Sequence, residues 1–209
     1  MADNTGGVTG IVLAAGAGAR AGGPKALLCL GDGTPWLAVA TTTLLAAGCS
    51  RVVVVLGALA ELGRPLVPID DRIEVVIAAD WQEGMAASLR AGLENASGDA
   101  ALVTLVDLPG LPIAVARRIV AGAGSASLRQ AVYGGRPGHP VLLGAQHWAA
   151  AAASLTGDRG ARSYLVAHGV HELECSDLWD GDDLDRPNPT DSVASHPSNG
   201  ALAKPKANL

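Results

Sequence analysis

The sequence predicts an α/β fold built on a mostly parallel sheet. Short apolar runs rich in β-branched residues alternate with Ala- and Leu-rich stretches of helical length, which is the order of strands and helices in such folds. The four valines at 52–55 lack the alternation of a half-exposed strand and indicate a strand covered on both faces. With 209 residues, 49% of them hydrophobic, the chain has enough apolar material for one compact domain.

The first half of the chain contains four predicted strands, at 10–15, 51–56, 74–78 and 101–106. Helices are predicted at 35–47, 84–95 and 112–122. Pro35 and Pro112 suit the first position of their helices, and Gly48 suits the position after the end of the first one.

The second half is less regular. We expect a strand pair at 130–133 and 140–143 around a turn at 134–138, then helices at 145–154 and 161–167 and a strand at 170–175. From residue 186 the composition changes to Pro, Asn, Ser and Asp without periodicity. The sequence therefore predicts one domain over 1–185 and a disordered tail over 186–209.

Charge and composition argue against several classes of protein. A net charge of −5 and a pI of about 5.4 disfavour nucleic-acid binding, which needs an excess of Lys and Arg. No apolar stretch reaches the roughly 18 residues of a membrane helix, and the first residues lack the basic segment of a secretion signal. Cys29, Cys49 and Cys175 fit neither a metal-binding spacing nor a disulfide framework. We expect a cytoplasmic protein with no membrane or nucleic-acid partner.

A glycine-rich loop, GAGARAGGPK at 16–25, follows the first predicted strand. Glycines at this point let the backbone approach phosphate groups, which accept hydrogen bonds from the loop amides. A P-loop is excluded, because Pro24 precedes Lys25 and Ala26 follows it, where that motif needs Gly-Lys-Ser/Thr. One hypothesis is a loop wrapped around a triphosphate, with Arg20 and Lys25 as its cations.

Two other interpretations of this loop stay open. The first is a plain surface loop with solvated charges. The second is a dinucleotide site, which is the weaker one because Pro24 disfavours a helix at that point and no acidic residue ends the second strand.

Asp107 lies where the fourth predicted strand ends, at the edge where open α/β sheets bind ligands. A carboxylate there is a natural Mg²⁺ ligand, because Mg²⁺ prefers hard oxygen donors and takes one or two carboxylates together with phosphates and water. The other interpretation is a helix N-cap, since the next predicted helix begins shortly afterwards.

The segment LAAGAGARAGGPKALL at 13–28 resembles the signature of the MobA-like nucleotidyltransferases, and among them most closely the molybdenum cofactor cytidylyltransferases. Further segments resemble the family in the same order: GMAASLRAGL at 84–93, VDLP at 106–109, GHPV at 138–141, GDRGAR at 157–162 and DLDRP at 183–187. The chain departs from the family at Ala78, where Asn is common, and at Ala21, where Met is usual.

The resemblance implies a three-layer, Rossmann-like nucleotidyltransferase fold of the GT-A-like type. It also implies a Mg²⁺-dependent enzyme that transfers CMP from CTP to molybdopterin and releases pyrophosphate. The residues AAG at 14–16 resemble the cytidylyl branch, whereas guanylyl enzymes commonly carry LAGG there.

The site residues implied by the resemblance fall into four groups. Catalysis is expected from Arg20, Lys25 and Asp107; nucleotide binding from Leu13, Ala14, Ala15, Gly16, Gly18, Arg20, Lys25 and Ser88; acceptor binding from His139, Asp158 and Arg162; and Mg²⁺ binding from Asp107 and Asp185.

Three alternatives to this function remain. The acceptor could be another phosphorylated molecule, such as phospholactate or a sugar phosphate, with a guanylyl or other nucleotidyl donor. The glycine loop could instead serve an NAD(P)-binding oxidoreductase. The third is a catalytically silent relative that binds a nucleotide to regulate or chaperone molybdoenzymes, with a molybdoenzyme or its chaperone as partner.

Overall fold

The computed structural model describes residues 6–18, 22–183 and 191–194. The strands are β1 (Val8–Ala14), β2 (Leu28–Cys29), β3 (Arg51–Leu56), β4 (Ile73–Ile77), β5 (Ala100–Leu105), β6 (Leu128–Tyr133), β7 (Arg136–Gly144), β8 (His171–Glu174) and β9 (Ser192–Val193). Seven of them form one sheet in the order β4-β3-β1-β5-β7-β6-β8. β7 runs antiparallel to its neighbours β5 and β6, and the other neighbouring pairs are parallel. The predicted α/β class with a mostly parallel sheet is confirmed.

Helices cover both faces of this sheet. They are α1 (Trp36–Ala47), α2 (Ala60–Gly63), α3 (Met85–Glu94), α4 (Ile113–Val120), α5 (Ala145–Ser154) and α6 (Arg162–Ala167). α1 and α4 share one hydrophobic core with one face of the sheet, and α3, α5 and α6 share a second core with the opposite face. The molecule therefore has the three layers that the family resemblance implied.

The valines of β3 show why these strands are uniformly apolar. Val52 and Val54 belong to the core under α1, while Val53 and Val55 belong to the core under α3, and all four are 0% exposed. A strand covered by helices on both faces has no solvent-facing position, so polar residues are absent from its middle.

The predicted elements of the first half form within a few residues of their expected bounds. Pro35 and Pro112 differ in one detail, because each precedes its helix instead of occupying the first helical position. Their ψ angles of 138° and 141° are extended, so the helical conformation begins at the next residue. Gly48 ends α1 in the left-handed conformation with φ of 108°, as predicted.

The second half departs further from the prediction. The turn between β6 and β7 consists of Gly134 and Gly135, both with positive φ, and the predicted turn residues 136–138 belong to β7. Val132 pairs with Pro137 and Tyr133 with Arg136, so the strand pair continues to the glycines.

A small second sheet was not predicted. β2 and β9 pair antiparallel, which places residues 192–193 beside 28–29. Of the predicted tail 186–209, the structure describes 191–194 alone. In the described part of the chain, no helix has both the length and the apolar character needed to cross a membrane.

Candidate active site

A cavity of about 220 Å³ lies at the carboxyl ends of β1 and β5, and we call it the loop cavity. It is lined by Leu13, Ala14, Ala15, Gly16, Gly18, Lys25, Ala26, Met85, Ser88, Leu105, Val106 and Asp107. The list contains every residue predicted to bind the nucleotide except Arg20, which lies outside the described residues. The structure thus brings together side chains from four separate segments at the edge where open α/β sheets bind ligands.

Gly18 shapes the glycine-rich loop. Its φ of +62° is a left-handed conformation, and a Cβ at this position would overlap the carbonyl oxygen of Gly23. The amide of Gly23 donates to the carbonyl of Gly18 at 3.2 Å, so the described ends of the loop are held close together. A side chain at Gly18 would open this turn, which explains why glycine is needed there.

Lys25 and Asp107 form an ion pair inside the loop cavity. Lys25 begins the short 3₁₀ turn Lys25–Leu27, and Asp107 lies two residues beyond β5. The Lys25 Nζ donates to Asp107 Oδ2 at 2.9 Å, and the two side chains are only 16% and 17% exposed. A loop cation and the strand-end carboxylate, 82 positions apart in the sequence, therefore face the same cavity.

The second carboxylate oxygen of Asp107 tests whether a divalent metal fits this site. Oδ1 is buried and has no hydrogen-bond partner. An unpaired buried carboxylate oxygen is costly, and it is the hard donor that Mg²⁺ or Mn²⁺ prefers. The N-cap interpretation of Asp107 is wrong, because Pro112 caps α4 without any side-chain hydrogen bond.

Of the two expected metal ligands, Asp107 is the one that lies within the described residues. Asp185, the second expected ligand, lies outside the described residues. Within the described ranges, no three His, Cys, Asp or Glu side chains converge on a point that could hold a metal. This donor set suits a Mg²⁺ ion that obtains its other ligands from nucleotide phosphates and water.

Ser88 reaches the loop cavity from α3, where it is buried. The start of that helix is held by the loop at 156–160. The amide of Ala86 donates to the carbonyl of Gly157 at 2.9 Å, and a Cβ on Gly84 would overlap the carboxylate of Asp158. Asp158 therefore lies against the beginning of α3 and is not among the residues that line either described cavity of the site.

A second cavity, of about 180 Å³, adjoins the first, and we call it the apolar cavity. It is lined by Leu13, Leu89, Val103, Gln130, Pro137, Gly138, His139, Val141, Leu143, Arg159, Gly160, Ala161, Arg162 and Leu165. Leu13 contributes to both cavities, which places them side by side. His139 and Arg162, two of the three predicted acceptor residues, line this cavity.

His139 is fixed by contacts on both its backbone and its ring. The Tyr133 hydroxyl donates to the His139 carbonyl at 2.7 Å, and His139 Nδ1 lies 3.4 Å from the Val103 carbonyl oxygen. Because a carbonyl can only accept, Nδ1 carries the proton and Nε2 is left as an acceptor. Burial lowers the pKa of His139 below its ordinary value, although Asp107 and Asp183 act in the opposite direction.

Gln130 and Arg159 were not predicted as site residues. Gln130 is a buried polar side chain on β6 whose Nε2 donates to the Gly138 carbonyl at 3.2 Å. No clear signal in the sequence pointed to Gln130, because Arg129 is a second polar residue beside it in the same strand. Arg159 lies in the segment GDRGAR, but nothing in the sequence distinguished it from an exposed surface arginine.

Comparison with known proteins identifies the family of this chain. The model of the MobA-like NTP transferase domain matches residues 10–173. The chain belongs to that family. Its members are named for acting on nucleoside triphosphates, so the family assigns this chain to the nucleotidyltransferase-like enzymes and implies an NTP substrate.

Three similar proteins show which relatives this member of the MobA-like family resembles. Nicotine blue oxidoreductase of Paenarthrobacter nicotinovorans is 37% identical over 189 residues, which span 85% of this chain and 92% of the relative. The crystal structure of Rv0371c from Mycobacterium tuberculosis H37Rv has a TM-score of 0.70 and 29% identity, covering 81% of this chain and 88% of that one. A nucleotidyl transferase from Methanothermobacter has a TM-score of 0.71 and 25% identity, covering 82% and 88%.

A metal complex is known for one of these relatives. Rv0371c has also been crystallised as a complex with manganese, in a structure with a TM-score of 0.67 and 28% identity to this chain. The nucleotidyltransferase fold is confirmed, whereas a specific match to the molybdenum cofactor cytidylyltransferases is not shown.

Proposed function

We propose that this protein transfers CMP from CTP to a phosphorylated pterin of the molybdopterin type and releases pyrophosphate. The observation that carries the proposal is the Lys25–Asp107 pair, which faces the loop cavity while Asp107 Oδ1 stays buried and unpaired. A cation for phosphate and a free oxygen for a metal are the two groups that a metal-bound triphosphate requires.

The chemistry needs alignment more than acid–base catalysis. The acceptor phosphate attacks the α-phosphorus of CTP, a new P–O bond forms, and the bond from the α-phosphorus to the bridging oxygen breaks to release pyrophosphate. The attacking group is already an anion, so no strong base is required. Lys25 and Arg20 would neutralise charge on the departing phosphates, and the loop at 15–18 would position them.

Asp107, with Asp185 as a second carboxylate, would hold the Mg²⁺. When bound, Mg²⁺ supplies electrostatic stabilisation of the charge that develops on phosphate oxygens. The buried Ser88 lines the same cavity, and its hydroxyl would contact the ribose or the base.

The acceptor is assigned to the apolar cavity. Its aliphatic walls suit a flat ring system, Gln130 and His139 offer hydrogen-bonding groups, and Arg159 and Arg162 offer charge to an acceptor phosphate. Asp158 would contribute indirectly, because it lies against the start of α3, the helix that carries Ser88. Because Leu13 borders both cavities, an acceptor in one would lie beside a nucleotide in the other.

A second candidate function is favoured by one relative. The protein named nicotine blue oxidoreductase shares 37% identity with this chain, so an NAD(P)H-dependent oxidoreductase is the alternative. In that case the glycine loop would hold the pyrophosphate of the dinucleotide and the apolar cavity would hold a heteroaromatic substrate.

Label transfer distinguishes the two functions. Each α-³²P-labelled nucleoside triphosphate is incubated with purified molybdopterin and Mg²⁺, and NADH and NADPH oxidation is followed separately with heteroaromatic dyes. We expect label transfer from CTP, with less from GTP. NAD(P)H oxidation without any label transfer would establish the alternative.

The variant Asp107→Asn tests the site within the same assay. It removes the carboxylate charge at nearly constant size, so label transfer should fall by about a hundredfold or more. Asp71→Asn is the matched control, because Asp71 is exposed in the turn that precedes β4. Equal transfer rates for Asp107→Asn and the wild-type protein would contradict the assignment of Asp107.

A further inference from the structure

The two carboxylate oxygens of Asp107 differ in their hydrogen bonding. Oδ2 accepts a hydrogen bond from the Lys25 ammonium at 2.9 Å, and Oδ1 is buried without a partner. The two oxygens of one carboxylate are close neighbours, so a divalent cation on Oδ1 would lie within a few ångströms of the ammonium. Both side chains are more than four-fifths buried, where water screens such repulsion poorly.

We propose that Lys25 keeps Asp107 from binding a divalent cation until a triphosphate arrives. This inference rests on the proposed function and concerns the order in which its ligands bind. In the nucleotide-free protein, the ammonium already compensates the charge of Asp107. A bound triphosphate then offers Lys25 several anionic oxygens in the same cavity, and Asp107 is released to the metal.

The side chain of Lys25 suits this exchange. Lysine carries a compact charge on a flexible four-carbon stem. Its ammonium can therefore move from a carboxylate to a phosphate, and it has no planar guanidinium, as arginine has, that must be repacked. Its backbone is fixed, because the carbonyl of Pro24 accepts a hydrogen bond from Leu27 at 3.0 Å and Ala26 and Leu27 are buried. The exchange is therefore confined to the side chain.

The proposal has a thermodynamic consequence. If the nucleotide removes Lys25 from Asp107, it strengthens metal binding beyond what its own phosphates contribute, and the metal strengthens nucleotide binding by the same factor. Removing the ammonium should tighten metal binding in the nucleotide-free protein and reduce the coupling between the two ligands.

The experiment is a titration of the full chain with Mn²⁺, in which electron paramagnetic resonance measures the free ion with and without CTP. The variant is Lys25→Met, which keeps the length of the stem and removes the charge. Arg64→Gln is the control, because it also removes one cation, Arg64 is exposed, and the helix α2 just before it packs against the Lys25–Leu27 turn.

We expect Lys25→Met to bind Mn²⁺ about tenfold or more tightly than the wild-type protein without nucleotide, and CTP to strengthen Mn²⁺ binding less in this variant. Arg64→Gln should match the wild-type protein in both respects. If Lys25→Met does not fold, Lys25→Gln gives the same test, because it keeps a hydrogen-bond donor and carries no charge.

Two results would overturn the proposal. One is equal Mn²⁺ affinity of the wild-type and Lys25 variants without nucleotide. The other is a gain of the same size with and without CTP, which is the result of charge removal alone. If the proposed function is wrong, CTP does not bind and has no effect on Mn²⁺ affinity. The comparison of Mn²⁺ affinities without nucleotide would still decide the role of Lys25.

Discussion

His139 shows how the backbone fixes the chemistry of a single side chain. Its Nδ1 faces the Val103 carbonyl, so the neutral ring keeps Nε2 as an acceptor, and His139 lines the apolar cavity. Burial opposes the charged imidazolium and lowers the pKa below that of an exposed histidine. The folded protein therefore holds His139 neutral at a pH where the unfolded chain would be partly protonated.

This lowered pKa predicts a pH dependence of stability. Below the ordinary histidine pKa of about 6.5, the unfolded state binds a proton that the folded state does not, so stability falls as the pH decreases toward the folded pKa. His139→Gln removes this contribution. Thermal unfolding at pH 8 and pH 5 should show a smaller loss of stability at pH 5 for His139→Gln than for the wild-type protein. Identical losses would show that His139 does not titrate differently on folding.

The sequence predicted single residues well where their chemistry followed directly from a strand or a glycine loop. Lys25 and Asp107 were expected at the site for this reason. Their hydrogen bond to each other was not, because it joins residues 82 positions apart and depends on how the fold brings Lys25 to the end of β5. Gln130 and Arg159 were missed because their role depends on which elements surround the apolar cavity, and this is set by the packing of α6 against the sheet.

At the scale of elements, the start of α3 joins the two cavities. Gly84 precedes the helix with φ of 103° and ψ of −167°, a conformation open in practice to glycine alone. The loop at 156–160 closes over it, with the carbonyl of Gly157 bonded to Ala86. The same loop contains Arg159 and leads into α6, which begins at Arg162, and both arginines line the apolar cavity. One contact between a helix and a loop therefore helps to position both cavities.

Gly84→Ala should therefore destabilise the protein more than an ordinary glycine substitution. A Cβ would overlap Asp158 and lie 2.8 Å from the backbone of Gly157, in addition to the backbone strain, and we expect a loss of at least about 2 kcal/mol. Gly48→Ala is the control, since Gly48 has a similar φ of 108° but nothing within 4 Å of a Cβ. Urea unfolding should rank Gly84→Ala below Gly48→Ala, and the reverse order would contradict the role given to this contact.

The main elements could be predicted because their signals are local. Continuous apolar runs identified the central strands, and glycine and proline identified helix ends. The turn between β6 and β7 was placed too broadly, because GGRPG is typical of a loop and only the pairing with β6 draws Arg136 and Pro137 into a strand. β2 and β9 have two residues each, too few for any period, and their pairing is a contact between distant parts of the chain.

At the scale of the whole molecule, the reversed strand β7 helps to form the site. β5 and β7 pair from Ala100 and Gly144 up to Val103 and Val141, and no described pair follows. The next residue of β7 is Pro140, which has no amide to donate. Beyond this point, His139 of β7 lines the apolar cavity, and Asp107, which follows β5, lines the loop cavity. The sheet order therefore creates the place where the two cavities meet.

The central claim is that a metal-bound triphosphate occupies the loop cavity between Lys25 and Asp107. A crystal structure of the full chain with Mn²⁺ and a non-hydrolysable CTP analogue tests it most directly, through the anomalous signal of manganese. We predict a manganese peak at about 2 Å from an Asp107 carboxylate oxygen, with the phosphates against residues 15–18 and the Lys25 ammonium. A manganese peak away from Asp107, or a triphosphate bound outside the loop cavity, would contradict the claim.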